Sequence, residues 1–206
     1  MQSKRLRAHY VYDPFLRVLH AWNGLMILLL LVTAQGADWL AWEWPGAALW
    51  VVHMWLGYGL VAGLLLRLVW GLAGPVHARW RAMWRPRAWL DGLRSRRLFQ
   101  APADFGHHPM ASGAYLLVYL LLLVMAATGL ALAAIDQGAG PLFDWLGYRV
   151  MWKPWFRLPH DWLQYVFMVF IVVHLAMLVL HERRHGVPVA QAMVSGYQYL
   201  KDEKRK

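Results

Sequence analysis

The chain contains no cysteine, which excludes disulfides, thiolate metal sites, iron–sulfur clusters and covalently attached c-type haem. Charge is scarce too, at 16% of residues, and acids are the rarer sign, with 11 Asp and Glu against 21 Lys and Arg. Internal repeats and low-complexity tracts are missing. What is abundant is apolar surface. With 60% hydrophobic residues and 14 Trp in 206 residues, the chain is too apolar for an ordinary soluble domain and has the size of one compact membrane bundle. Its formal charge of +10 raises nucleic acid as a partner, but on a membrane protein basic residues report topology and contact with anionic lipid. The expected surroundings are the lipid bilayer, with no nucleic acid.

Four stretches can cross a bilayer, which takes roughly 20 apolar residues. They are residues 14–34, with Asp13 as N-cap and Pro14 at the first helical position, then 47–70, 113–134 and 159–181. Each is apolar on all sides, so hydropathy identifies them better than periodicity. The predicted fold class is an all-α membrane protein, a four-transmembrane-helix bundle forming a single domain over 1–206 with a basic link at 71–112. Lys4, Arg5, Arg7 and Arg17 accompany the first span, seven Arg lie in the link, and "ERRHG" and "KDEKRK" follow the last span, whereas "QGADWLAWEWPG" has no basic residue. By the positive-inside rule both termini and the link are cytoplasmic, outnumbering Arg149, Lys153 and Arg157 on the outer side. Within the link, "PRAWLDGLRSRRLF" reads either as a basic amphipathic helix on the membrane or as a solvated arginine-rich loop. "KRLR", an apolar core and "TAQGA" imitate a secretory signal peptide, but the long leading segment with Asp13-Pro14 argues that the first span is retained.

The polar residues that interrupt these spans are histidines. In "LPHDWLQYVFMVFIVVHLAML", His160 and His174 are fourteen positions apart, close to four helical turns, so both rings leave one face about 21 Å apart. An ionisable side chain within a span is costly and by default a functional candidate. His20 sits early in the first span, near the cytoplasmic surface, and His53 early in the second, near the outer one. The fourth span starts outside, so His160 matches His53 in depth and His174 matches His20. Two opposed imidazoles from different helices suit a haem held edge-on. With both axial positions filled by protein, no site is left for oxygen or substrate, which favours electron transfer. Two non-covalent b-type haems, one near each surface, make a wire across the membrane. Gly24 after His20, and Gly57, Gly59 and Gly63 after His53, give a flat porphyrin room against the backbone.

Arg67 follows His53 by fourteen positions, on the same stripe and near the cytoplasmic pair, where its guanidinium suits a haem propionate; the alternative is an arginine that snorkels to the surface. Arg17, one turn before His20, is a weaker candidate of the same kind. His181 stays on nearly the face of His174 and competes with it as the cytoplasmic ligand, although a headgroup role beside "ERRHG" is the simpler reading. His107 and His108 in "GHHP", with His9, His77 and His185, fall in basic segments as surface residues.

Together, "VYDPFLRVLHAW", "HMWLGYGLVAGLLLRLVWGLAGP", "GHHPMASGAY", "TGL" and the His160–His174 pair make the chain resemble the bacterial cytochrome b561 family, which includes the b-type subunits of nickel-iron hydrogenases. The resemblance covers most of the chain. It departs at "LHAWN", where tryptophan commonly follows the histidine directly, and at "GHHP", where an asparagine is usual. It implies a four-helix, di-haem b cytochrome of the bacterial cytoplasmic membrane with His20, His53, His160 and His174 as ligands. It also implies electron exchange between a quinone and a redox partner such as a hydrogenase, a molybdoenzyme or a c-type cytochrome. Two other readings differ in class. The chain could act alone as a superoxide:quinone oxidoreductase, with basic residues attracting the anion. Or it could transport ions or protons through its histidines, a reading weakened because Asp161 is the only acid at a span.

Overall fold

A computed structural model describes residues 6–40, 44–95 and 109–201. His107 and His108, Lys4, Arg5 and the terminal "DEKRK" lie outside the described residues. The chain enters through a short strand, β1 (Leu6–Tyr10), and then runs into α1 (Pro14–Trp39) and α2 (Trp44–Ala73). A 3-10 turn at Val76–Ala78 leads to α3 (Trp80–Met83) and α4 (Pro86–Ser95), followed by α5 (Pro109–Gln137), α6 (Phe143–Leu146) and a second 3-10 turn at Val150–Trp152. The long helix α7 (Lys153–His185), α8 (Ala192–Ser195) and β2 (Tyr197–Lys201) complete the order.

Four of these helices, α1, α2, α5 and α7, are long and apolar enough to cross a membrane. Each extends past the apolar run that marks it, because a helix does not stop where lipid stops: its next turns go on satisfying their own backbone groups. The largest difference from the sequence reading is at α7. There Pro159 marks a helix start by its fixed φ and missing donor, yet the helix begins at Lys153 and passes through Pro159. Membrane helices tolerate interior proline because neighbouring groups re-satisfy the freed carbonyl. At α1 the expected cap is in place, with Asp13 Oδ1 accepting from the Leu16 backbone N–H at 3.0 Å.

The spans keep much of their apolar surface outward. Val32, Val69 and Val172 are each more than 60% exposed, as suits side chains whose solvent is hydrocarbon rather than water. In α7 the most apolar window is only 6% buried.

The described chain divides into two compact units. The first comprises the described residues within Met1–His20, Arg67–Leu117 and Ile171–Lys206. Its strands pair antiparallel, Leu6 opposite Lys201 through Tyr10 opposite Tyr197, so the segment before α1 and the segment after α7 share one small sheet. That sheet is a departure from a purely helical chain. The link gains structure in this unit: "PRAWLDGLRS" is helical as α4, and its Trp89 Nε1 donates to Ser112 Oγ near the start of α5 at 3.3 Å. Beyond α7, Glu182 Oε1 accepts the backbone N–H groups of Val189 and Ala190, both at 2.8 Å, folding the tail back.

The second unit comprises Ala21–Leu66 and Val118–Phe170. Met26 of α1, Leu60 and Leu64 of α2, Leu122 of α5 and Phe167 of α7 share one core, a packed four-helix arrangement. A smaller core joins Ala131, Ala134 and Ile135 of α5 with Leu146 of α6. Lys153 at the start of α7 pairs with Asp136 at the end of α5 at 2.8 Å.

Candidate functional site

His53 and His160 lie in the second unit and face each other. Their ring centroids are 6.3 Å apart with planes crossing at 76°. Each ring is held through Nδ1 by a different neighbouring helix. His53 Nδ1 is 3.1 Å from the Leu30 carbonyl oxygen and 3.1 Å from Thr33 Oγ1, both on α1. His160 Nδ1 is 3.1 Å from Thr128 Oγ1 on α5, with the Met125 backbone within its electrostatic surroundings. The two sets are alike in placing a threonine three residues after a backbone group near the ring. Gly129, beside Thr128, lets the imidazole lie against α5, since a Cβ there would stand 3.1 Å from His160 Cε1.

A carbonyl can only accept, so a nitrogen facing one carries the proton. His53 is therefore protonated at Nδ1, and so is His160, whose partner Thr128 commits its hydroxyl hydrogen to α5 carbonyls; in both rings the Nε2 lone pair is left available to a metal. Two imidazoles on opposite sides of one metal ion, each bonded at about 2.0–2.1 Å with its ring centre roughly 1 Å beyond the nitrogen, have centroids about 6 Å apart. The donor set and its spacing fit a haem iron with both axial positions taken.

His20 and His174 fall together in the first unit, within electrostatic reach of each other. His20 is exposed and His174 half-buried. Arg67 shares this unit and is 4% exposed, with its guanidinium carbon 4.2 Å from the centre of the Trp80 ring. Trp80 is itself fixed, its Nε1 donating to the Leu68 carbonyl at 3.1 Å. The indole rests so closely on Gly71 that a Cβ there would overlap it. Arg17 turns toward the tail, where its Nη2 donates to the Val194 carbonyl. His181 is exposed near the end of α7.

The glycines divide into two kinds. A Cβ at Gly59 or Gly63 would meet Met26, Trp22 or Asn23 of α1, so these two serve helix packing rather than a porphyrin face. Trp22 Nε1 donates to the Gly59 carbonyl at 2.9 Å, which strengthens that contact. A Cβ at Gly24 or Gly57 would meet nothing within 4 Å, so open space stands beside these two. Thr33, Thr128 and Trp80 were not foreseen. The signal for the threonines is their position as buried hydroxyls inside apolar runs, where a polar group needs a partner on a neighbouring helix.

The family model for prokaryotic cytochrome b561 matches residues 11–196. The chain is 29% identical to a "Probable Ni/Fe-hydrogenase B-type cytochrome subunit" of Rhizobium leguminosarum bv. viciae, over 94% of this chain and 90% of that one. It is 28% identical to the protein of the same description from Cupriavidus necator, over 97% and 91%. With the corresponding hydrogenase 1 subunit of Escherichia coli K12 the identity is 24%, over 96% and 93%. No solved structure matches. With four membrane-length helices and a family match running from the residues before α1 to the turn after α8, the chain belongs to the prokaryotic cytochrome b561 family.

Proposed function

We propose that the chain, working as one membrane domain over residues 1–206, is a di-haem b cytochrome of the bacterial cytoplasmic membrane. It passes electrons between the quinone pool and a redox protein partner. Haem, when bound, supplies a one-electron carrier; the chain's residues decide where it sits and what it meets. The observation that carries the reading is the His53–His160 pair, with centroids 6.3 Å apart and both Nδ1 atoms engaged by neighbouring helices. His20 and His174 form the second pair. By the charge rule the first pair belongs toward the outer surface and the second toward the cytoplasm, with both termini cytoplasmic.

Arg67 supplies a buried positive charge in the same unit as the second pair, and its planar guanidinium suits a propionate. Arg17 has the same charge but is engaged with the Val194 carbonyl, which makes it the lesser anchor. All four histidines are used as ligands, so no open coordination position remains, and chemistry on quinone or partner takes place at a haem edge. A hydrogenase is the favoured partner, because relatives that match over more than nine-tenths of this chain are described as hydrogenase cytochrome subunits.

The test is haem quantitation by pyridine haemochrome on the purified protein. Two low-spin b haems per chain are expected, with one lost from each of the His53→Ala, His160→Ala, His20→Ala and His174→Ala variants. One haem or none in the parent overturns the reading, and His174→Ala keeping both while His181→Ala loses one would transfer the ligand role to His181.

A further inference from the structure

We infer that Thr33 and Thr128 are a matched pair of positioning residues that set the orientation and the donor strength of His53 and His160, and through them the potential of one haem and not the other. The inference rests on the reading of those histidines as haem ligands and goes beyond it, to residues that touch no iron.

The geometry is the same on both sides. Thr33 Oγ1 donates back along α1, 2.9 Å from the Leu29 carbonyl and 3.1 Å from that of Leu30. Thr128 Oγ1 does so along α5, 2.9 Å from the Val124 carbonyl and 3.0 Å from that of Met125. Each hydroxyl hydrogen is thus committed to its own helix, which leaves the oxygen lone pairs directed at histidine Nδ1, 3.1 Å away in both cases. At His53 the N–H faces two acceptors, the Thr33 hydroxyl and the Leu30 carbonyl, and at His160 it faces the Thr128 hydroxyl. Were Nδ1 without its proton, the acceptor's lone pair would confront a nitrogen lone pair, so the arrangement selects a single tautomer.

Two consequences follow from a bond of this kind. It fixes the rotation of the ring about its Cβ–Cγ bond, because the ring plane must direct the N–H at its acceptor. It also draws the Nδ1 proton away from the ring, which raises the basicity of the opposite nitrogen and stabilises the more highly charged iron. Both threonines are buried, 8% and 7% exposed, so water cannot replace either oxygen. Both act on the same pair, and their effects fall on one haem.

The experiment compares Thr33→Val/Thr128→Val with Thr33→Ser/Thr128→Ser in the purified holoprotein, using optical redox titration and low-temperature electron paramagnetic resonance. In the valine protein the potential of one haem should rise by about 59 mV, a tenfold shift in its oxidised-to-reduced ratio at fixed ambient potential. The g-values of that haem should change, while the other haem stays in place. The serine protein, which keeps both oxygens, should match the parent. If the valine protein loses that haem while the serine protein retains it at the parental potential, the positioning role also stands. Unchanged potential and g-values in the valine protein, an equal shift of both haems, or a serine protein as defective as the valine one each overturn the inference. His53→Ala and His160→Ala separate the two levels. If they leave haem content intact, the ligand reading has failed; if each loses a haem while the threonine variants show no shift, only the positioning role has.

Discussion

The guanidinium carbon of Arg67 lies 4.2 Å over the Trp80 ring, so a cation buried within a membrane helix is covered by an indole from α3. A desolvated cation–π contact is worth about 2 kcal/mol. Trp80→Ala should therefore lower the stability of the detergent-solubilised protein by about that amount or more, once lost packing is added. It should also weaken retention of the haem proposed for His20 and His174 while sparing the one proposed for His53 and His160. Thermal unfolding and selective haem loss read out the two effects. Trp80→Phe should recover most of the stability. Arg67→Lys should not restore haem retention, because an ammonium lacks the planar fork that meets a carboxylate bidentately.

Gly71 is the floor on which that indole rests. Gly71→Ala places a methyl where Trp80 lies, and overpacking of this kind costs about 1–3 kcal/mol. The same selective haem defect as in Trp80→Ala is expected. Gly57 gives the opposite test. Its Cβ position meets nothing within 4 Å, so Gly57→Ala should stabilise the haem-free protein by about 0.5–1 kcal/mol through helix propensity. If the space is for a porphyrin, haem occupancy should fall nonetheless. An unchanged haem titration would assign the space to lipid.

Double substitutions test the partnership of the histidines without any coordinate. If both residues bind one iron, as proposed, His53→Ala/His160→Ala should lose no more haem than either single variant. His53→Ala/His174→Ala should lose both haems. Haemochrome spectra of the four single and two double variants decide the pairing.

Tyr12 precedes the first span. Burial, reinforced by Tyr115, pushes its phenol from the usual 10.0 up to about 12. The folded state then holds its proton more tightly than the unfolded chain does. This stabilising contribution is complete below pH 10, and it is lost as the pH rises toward about 12. Alkaline titration followed by tyrosinate absorbance and circular dichroism should show a loosening in that window that is reduced in Tyr12→Phe.

The four spans were legible because lipid demands long apolar runs and leaves little ambiguity about them. The Asp13 cap was legible because capping is local. The start of α7 was not, since the proline rule that ends or begins soluble helices gives way in a membrane. Thr33 and Thr128 went unseen for a different reason. Whether a hydroxyl on α1 meets a ring on α2 depends on how two helices are rotated against each other, and hydropathy, being apolar on all sides here, carries no rotational phase. The strands were missed because five-residue segments such as "LRAHY" and "YQYLK" acquire their pairing only from a partner at the far end of the chain.

That last pairing bears on how the protein is made. β1 precedes all four long helices and β2 follows them, with Leu6 opposite Lys201, so β1 must wait with its strand edge unmatched while every span between them is synthesised and inserted. Closure of the sheet reports that the fourth span has been delivered and that the segment after it has come back to the segment before α1. A chain stalled or truncated before Tyr197 would carry an open strand edge, a pairing template of the kind that invites association with other chains.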